Sequence, residues 1–397
     1  MPKATPFHEK TSALCKSMRW KDWGGFFSVM SYDTNHDSEY ASIRYSVGLM
    51  DVTPLFKYDV TGVDAAAFLS RVIAKNISKL KVGQVTYCCW TDEHGKMLDD
   101  GTVTRLSENH FRLTAAEPSY HWFARFRRGF TVDMKDITEE MGALALQGPY
   151  SRELLKMVVG PQISDLKFFW SQPATIAGHP VVITRTGYTG DLGYEIWVHN
   201  SAATKVYETL MFACKSFGIS PFGLDALDVT RVEAGFIMNG VDYYSANHCI
   251  IESRKSTPFE LGLGWTVQLE DREPFIGMEA LKREKERGSE WAFVGLVLDW
   301  EEQEKLFAQY GLPPQICSHA WRSAVPVFDF DGQQIGKATS GAWSPVLKKN
   351  LALATVQAGQ AVPGTELQME YTVEFHRHKV KATVTKTPFF NPERKRS

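Results

Sequence analysis

A single carboxylate in an apolar run is the feature that most constrains this chain. Glu195 stands in Gly193-Tyr194-Glu195-Ile196-Trp197-Val198, directly after the turn-rich stretch Thr186-Gly187-Tyr188-Thr189-Gly190-Asp191. A run of that composition predicts a half-buried strand. An ionised carboxylate inside such a strand costs on the order of several kcal/mol unless it is paired. Two arrangements satisfy it. In one, Glu195 accepts two parallel N–H groups from a flat ligand. In the other, it lies on the wet face of an antiparallel hairpin with Tyr194 and Ile196 turned inward. The local pattern leaves both open.

With 397 residues the chain exceeds one ordinary core, which predicts two or three domains. A hydrophobic content of 44% with 23% charged residues belongs to a soluble globular protein. The formal net charge is −2, and the basic run at Arg394-Lys395-Arg396 is short, so nucleic-acid binding is not expected as the main activity. No apolar stretch approaches the length of a membrane span, and Met1-Pro2-Lys3-Ala4-Thr5 lacks the apolar core of a secretion signal. Cys15, Cys88, Cys89, Cys214, Cys249 and Cys317 form no Cys-x-x-Cys pair. They predict a reduced, cytoplasmic protein whose thiols pack as small hydrophobes, with Cys88 and Cys89 on opposite faces of a strand. The histidines show no metal-type spacing, and His376-Arg377-His378 reads as a solvated strand face, so no metal is expected.

Along the chain, Phe56 to Val60 alternates as a strand, and Asp64 precedes an Ala-rich segment as a helix cap. Gly83 to Ala116 predicts a meander with strands at Val85–Trp90, Met97–Leu106 and His110–Ala115. A strand at Gly142–Leu146, a helix from Pro149 and a hairpin over Val181–Val198 follow. Helices are expected near Ala202–Phe217, Leu224–Ala234 and Gly277–Arg287. From Trp291 to Phe390 short strands dominate, with hairpin signals at Asp331-Gly332 and Pro363-Gly364. A helix and loop over Trp300–Trp321 interrupt them. The residues alone predict an α+β region followed by an all-β domain.

The block Thr-Gly-Tyr-Thr-Gly-x-x-Gly-Tyr-Glu-Ile, which runs from Thr186 to Ile196, resembles the folate-binding signature of the glycine cleavage T-protein (aminomethyltransferase) family. Further blocks of that family stand in the family's order. They include Arg44-x-x-x-Gly48-Leu49-Met50-Asp51-Val52-Thr53, Leu98-Asp99-Asp100 and Gln147-Gly148-Pro149. Gly223 to Gly235, Phe275-Ile276-Gly277-x-Glu279-Ala280-Leu281 and Thr339-Ser340-Gly341-Ala342-Trp343-Ser344-Pro345 complete the set. The resemblance implies a three-lobed α+β folate-binding fold around a central channel. It places two lobes in residues 1–285 and a C-terminal all-β barrel domain in 286–397. It also implies tetrahydrofolate as cofactor.

Residue by residue, the resemblance assigns Glu195 to the pterin edge and Tyr87 and Tyr188 to the folate site. Arg231, in Arg-x-Glu-Ala-Gly, would hold a carbonyl or carboxylate with two donors. An ordinary i,i+3 surface pair with Asp228 is the other reading of Arg231. Gly235 would allow close backbone packing after that helix. Asp99 and Asp100 are consecutive on a strand, so only one can face a pocket. The resemblance gives the catalytic role to Asp99, orienting the cofactor or steadying charge on its nitrogens. It leaves Asp100 structural.

The sequence departs from glycine-cleavage members at the donor side. Ala116 stands where they carry an asparagine, and Trp122 and Phe123 hold the place of a Lys-Asp pair. With Trp343, these residues suggest an apolar, aromatic donor wall suited to a methylated cation or thioether. The expected function is therefore tetrahydrofolate-dependent transfer of a methyl or aminomethyl unit from a small-molecule donor to folate N5. Glycine-cleavage chemistry on an aminomethyl-lipoyl carrier protein is one alternative. A non-catalytic folate-binding accessory protein is another, although Asn247-His248-Cys249-Ile250-Ile251 lacks the Lys-Gly-Cys motif of those relatives.

Overall fold

The computed structural model describes residues 1–213 and 217–397. The alternating segments of the first 285 residues form two large sheets, beside a two-stranded antiparallel ribbon of Arg19–Trp23 and Phe26–Ser31. One is six-stranded, in the order Ser171–Ile176, His179–Thr184, Gly193–His199, Met141–Gln147, Gly48–Asp51 and Ser220–Pro221. Its strands pair antiparallel except the last, which runs parallel to Gly48–Asp51. Tyr194, Ile196 and Val198 point to one face and bury against helices Ser151–Val159 and Ala203–Ala213. The helix expected over Ala202–Phe217 thus begins as read, and its residues 214–216, with Cys214, lie outside the described residues.

The opposite face carries Met50, Ala143, Ala145 and Trp197, and it packs on the helix Leu224–Glu233 and on Leu351 and Leu353 of the C-terminal domain. By period-2 alternation this is also the face of Glu195. Neither face of the strand is wet, because each is covered by a helix layer.

The second sheet is five-stranded, in the order Val85–Thr91, Met97–Ser107, His110–Ala115, Phe56–Thr61 and Asp133–Asp136. The expected meander is present, and it is roofed by the helix Ala65–Val72. Asp64 precedes that helix without capping it; its carboxylate accepts the Thr131 backbone N–H at 2.7 Å. Cys88 and Cys89 enter two different cores, as alternation requires.

Six strands between Trp291 and Thr385 close into a barrel, in the order Trp291–Leu298, Lys349–Gln357, Gln334–Ser344, Val325–Phe328, Glu366–Val373 and His376–Thr385. A helix at Trp300–Gln309 and a loop interrupt the barrel where the sequence indicated. Asp331-Gly332 turns between paired strands as read. Pro363-Gly364 does not, because it lies in the crossover between strands Lys349–Gln357 and Glu366–Val373, which are not neighbours. The hairpin after it turns on Glu374 and Phe375, both at positive φ. Among the described residues no helix is long and apolar enough to cross a membrane.

Candidate active site

The glycine-rich block and the Gln147-Gly148-Pro149 block meet around one buried amide. A Cβ on Gly187 or Gly193 would come within 2.1 or 2.2 Å of Gln147 Oε1, so a side chain at either position would displace that buried amide. Gln147 accepts the Thr189 hydroxyl at 2.8 Å and donates to the carbonyl of Tyr194 at 3.3 Å. That packing fixes the turn before strand Gly193–His199 and sets where Glu195 projects.

Glu195 is half-buried and accepts the Thr186 hydroxyl at 3.0 Å. Burial pushes its carboxyl above the ordinary range, against weaker opposition from the hydroxyls of Thr186 and Thr184. Two hydroxyls are poor compensation for a charge, and among the described residues no cation pairs with it. The carboxylate is under-partnered.

Tyr188 stacks on Phe236 at 5.4 Å and 27°, and its hydroxyl donates to the Ile237 carbonyl. Tyr87 stacks on Trp265 at 5.7 Å and 25° and donates to Asp100 at 2.6 Å. The two tyrosines are close enough to influence one another electrostatically, and Asp100 acts on both.

The consecutive acids are arranged differently from the sequence expectation. Trp90 pairs with Asp99 and Thr91 with Met97, so Leu98 is an extra, bulged residue immediately before Asp99. A bulge bends a strand and re-aims its side chains. Asp100, paired with Cys89, shares the face of Tyr87, and Asp99, paired with Trp90, starts from the other. Both acids nevertheless accept from one hydroxyl, that of Tyr243, which lies 3.4 Å from Asp99 Oδ1 and closer to Asp100. The separation of the two carboxylates onto unrelated faces is corrected by this shared contact.

Asp99 is enclosed, at 1% exposure. It accepts the backbone N–H groups of Ala116 and Glu117 at 2.9 Å each and the Asn239 amide at 2.9 Å. Burial, then the adjacent charge of Asp100, push its carboxyl well above the carboxylate range, and those donors only partly offset them. Asp100 is raised as well, by burial, against the hydroxyls of Tyr243 and Tyr87. Two such acids around one hydroxyl hold a proton at neutral pH.

Arg231 forms the expected contact with Asp228, at 2.7 Å, but the pair is buried rather than on the surface. The guanidinium also donates to Asp242 at 2.7 Å, to Ser340 at 2.8 Å and to the Phe236 carbonyl at 3.3 Å. Four of its five N–H donors are engaged within the protein, and its side chain is fully enclosed. In this arrangement Arg231 braces the turn from Phe236 to Asp242. Asp242 in turn accepts from Thr339, Ser340 and the Met238 N–H. Gly235, at φ +68°, lets this turn pass Thr387, whose Cβ would lie 2.6 Å from an added methyl.

Three residues of the site, Asn239, Asp242 and Tyr243, escaped the sequence reading. They lie in an irregular turn after a helix, where no periodicity marks them. The amide missing at Ala116 is thus present beside Asp99, delivered from another segment by Asn239. Its Oδ1 is buried without a hydrogen-bond partner.

The aromatic donor wall is not assembled. Trp122 and Phe123 are core residues packed on Trp90 and Tyr58, and Trp343 packs on Trp300 at 5.4 Å. Among the described residues, one group of three histidine and carboxylate side chains converges, His36, Asp225 and His319, which no spacing in the sequence foretold.

Comparison with known proteins agrees with this architecture. The family described as GCVT N-terminal domain matches residues 7–271, and the glycine cleavage T-protein C-terminal barrel domain matches 311–391. The chain is 34% identical over its full length to the trimethylamine-oxide aldolase of Ruegeria pomeroyi, of which it spans 48%. It is 32% identical to the aminomethyltransferase of Bacillus mycoides, over 93% of each chain. The crystal structure of glycine cleavage system aminomethyltransferase T from Bartonella henselae superposes with a TM-score of 0.83 at 26% identity, covering 98% of this chain and 99% of that one. The chain belongs to the glycine cleavage T-protein (aminomethyltransferase) family.

Proposed function

We propose that this protein is a tetrahydrofolate-dependent one-carbon transferase that takes a methyl or aminomethyl unit from a small donor. Glu195 carries the reading, as a half-buried strand carboxylate with only threonine hydroxyls for partners. A flat heterocycle with adjacent N–H donors, the amino-pyrimidinone edge of a pterin, supplies what it lacks. The unpartnered Asn239 Oδ1 offers a second acceptor, and Tyr87 and Tyr188 present ring faces.

When bound, tetrahydrofolate supplies the nucleophilic N5 that accepts the one-carbon unit. Asp99, with Asp100 and Tyr243 beside it, holds a proton that it can give to or take from a reacting nitrogen. Asp100 orients Tyr87 through its hydroxyl. Arg231 fixes the Phe236–Asp242 turn and so positions Asn239 and Tyr243.

On the donor side, a methylated nitrogen compound is favoured, since one relative is named for trimethylamine oxide. An aminomethyl group on a lipoyl carrier protein is the second reading, supported by the aminomethyltransferase aligned over 93% of this chain. A cytoplasmic setting fits the unpaired thiols of Cys15, Cys88, Cys89, Cys249 and Cys317.

Incubation with tetrahydrofolate and a panel of methylated amines, amine oxides, sulfonium compounds and aminomethyl-lipoyl carrier, read by mass spectrometry, separates these. Methyl- or methylenetetrahydrofolate formed from a free methylated donor is the expected product. Turnover confined to the lipoyl carrier would establish the second reading, and no folate product from any donor would remove both.

A further inference from the structure

Away from Asp99 and Glu195, three distant segments converge on a polar cluster. His36 precedes the helix Asp37–Tyr45, Asp225 sits in the first turn of the buried Leu224–Glu233 helix, and His319 lies in the loop of the barrel insertion. One ligand-capable atom from each lies within 4.8 Å of the others. The His36 and His319 rings are 5.4 Å apart, and His319 Nε2 is 3.6 Å from Asp225 Oδ2. His36 is 6% exposed, and its Nδ1 is buried with no hydrogen-bond partner. An unsatisfied imidazole nitrogen in the interior costs free energy unless something fills it.

A cation already visits this place. Arg19 Nη1 stands 3.0 Å from Asp225 Oδ2 and 3.4 Å from His319 Nε2. Its side chain is 42% exposed, so it can withdraw into water at little cost. Among the described residues no group supplies His36 Nδ1 in this way.

We propose that His36, Asp225 and His319 form a binding site for a divalent cation of the zinc class, which exchanges with the Arg19 guanidinium. Two imidazoles and one carboxylate are a donor set for zinc-like ions rather than for calcium or magnesium, and they leave a fourth position for water. Metal–ligand bonds of about 2.0–2.1 Å in a tetrahedron put ligand atoms about 3.3 Å apart. The cluster must therefore contract from 4.8 Å, and the half-exposed His319 is the member free to move. Its Nδ1 is 3.0 Å from the Ser318 hydroxyl, an outer contact that would hold the ring in place. The ion would staple the N-terminal region, the buried helix and the barrel insertion together.

The test is equilibrium dialysis of the full chain against zinc chloride, with metal counted by emission spectrometry. One zinc per chain is expected, with His319→Ala and Asp225→Asn weakening it at least tenfold. Because Arg19 competes for the carboxylate, Arg19→Gln should bind more tightly than the parent. His319 and Arg19 are surface side chains, so their variants keep the fold and the comparison stays clean. Parent-like binding in His319→Ala, or no gain in Arg19→Gln, overturns the proposal. Loss of zinc in Cys317→Ser alone would also overturn it, assigning the metal to that exposed thiol instead.

Discussion

Asp99 titrates against its enclosure rather than against water, and this is what equips it for chemistry. Burial and the neighbouring Asp100 raise its carboxyl from 3.8 to about 8. The folded chain therefore carries a proton that the unfolded chain has released. That difference favours folding fully below about pH 4, and the advantage fades as pH rises through 8. Thermal melts of the ligand-free protein should show falling stability from pH 5 to pH 8, with a shallower slope in Asp99→Asn, whose amide cannot ionise. An unchanged slope would place the titration elsewhere. The same variant should lose about 100-fold or more in kcat, the usual contribution of a positioned acid–base group, with little change in folate affinity. Asp100→Asn should weaken folate binding as well, since its one amide oxygen can accept only one of the Tyr87 and Tyr243 hydroxyls; calorimetric titration of both variants makes the comparison. At this scale the sequence was informative about which residues matter and less so about their contacts. Strict alternation placed Asp99 and Asp100 on opposite faces, and they do pair in turn with Trp90 and Cys89; what it could not show is that Tyr243, from another segment, reaches both carboxylates. Trp122 and Phe123 looked like pocket residues because they hold the place of a Lys-Asp pair in glycine-cleavage members. Core packing claimed them instead.

The helix Leu224–Glu233 shows what an element reading can and cannot reach. Its bounds were legible, yet all ten of its residues are buried, four of them charged, so no amphipathic stripe revealed its central place. Arg231 binds Asp228 and Asp242 there, and removing it strands two carboxylates out of water. Arg231→Met should cost about 3–5 kcal/mol in denaturant unfolding, the range for breaking a buried pair. Adding Asp242→Asn should recover part of that loss; a double variant as unstable as the sum would mean the two do not act as a pair. Turns were legible where glycine met its demand, as at Asp331-Gly332. They were not where ordinary residues adopt positive φ, as Glu374 and Phe375 do, because composition carries no trace of that strain.

Across the whole molecule, buried polar contacts tie the sheets to the barrel. Ser344 of the barrel donates to Glu233 at 2.6 Å, and Arg44 reaches the same carboxylate at 2.5 Å from beside the first sheet. Arg322 binds Asp228 at 2.6 Å, and Thr339 binds Asp242 at 2.6 Å. Near the end of the chain, Arg394 grips Asp191 at 2.7 and 2.8 Å, next to the glycine-rich turn. The barrel should accordingly unfold with the sheets in one calorimetric transition, and two resolved transitions would contradict that coupling. None of these cross-links shows in local sequence, since each joins segments far apart in the chain; the order of the motif blocks was the only outward sign of them. They brace the turn of Asn239 and Tyr243 through Asp242 and the glycine-rich turn before Glu195 through Asp191, and the proposed function depends on that arrangement. Titration calorimetry of tetrahydrofolate into the parent protein and Glu195→Gln tests it most directly. One folate per chain is predicted, weakened by roughly 1–3 kcal/mol in the variant, or about 5- to 150-fold, because an amide can meet only one of two N–H donors and brings no charge. Equal affinity in the two proteins would contradict the account.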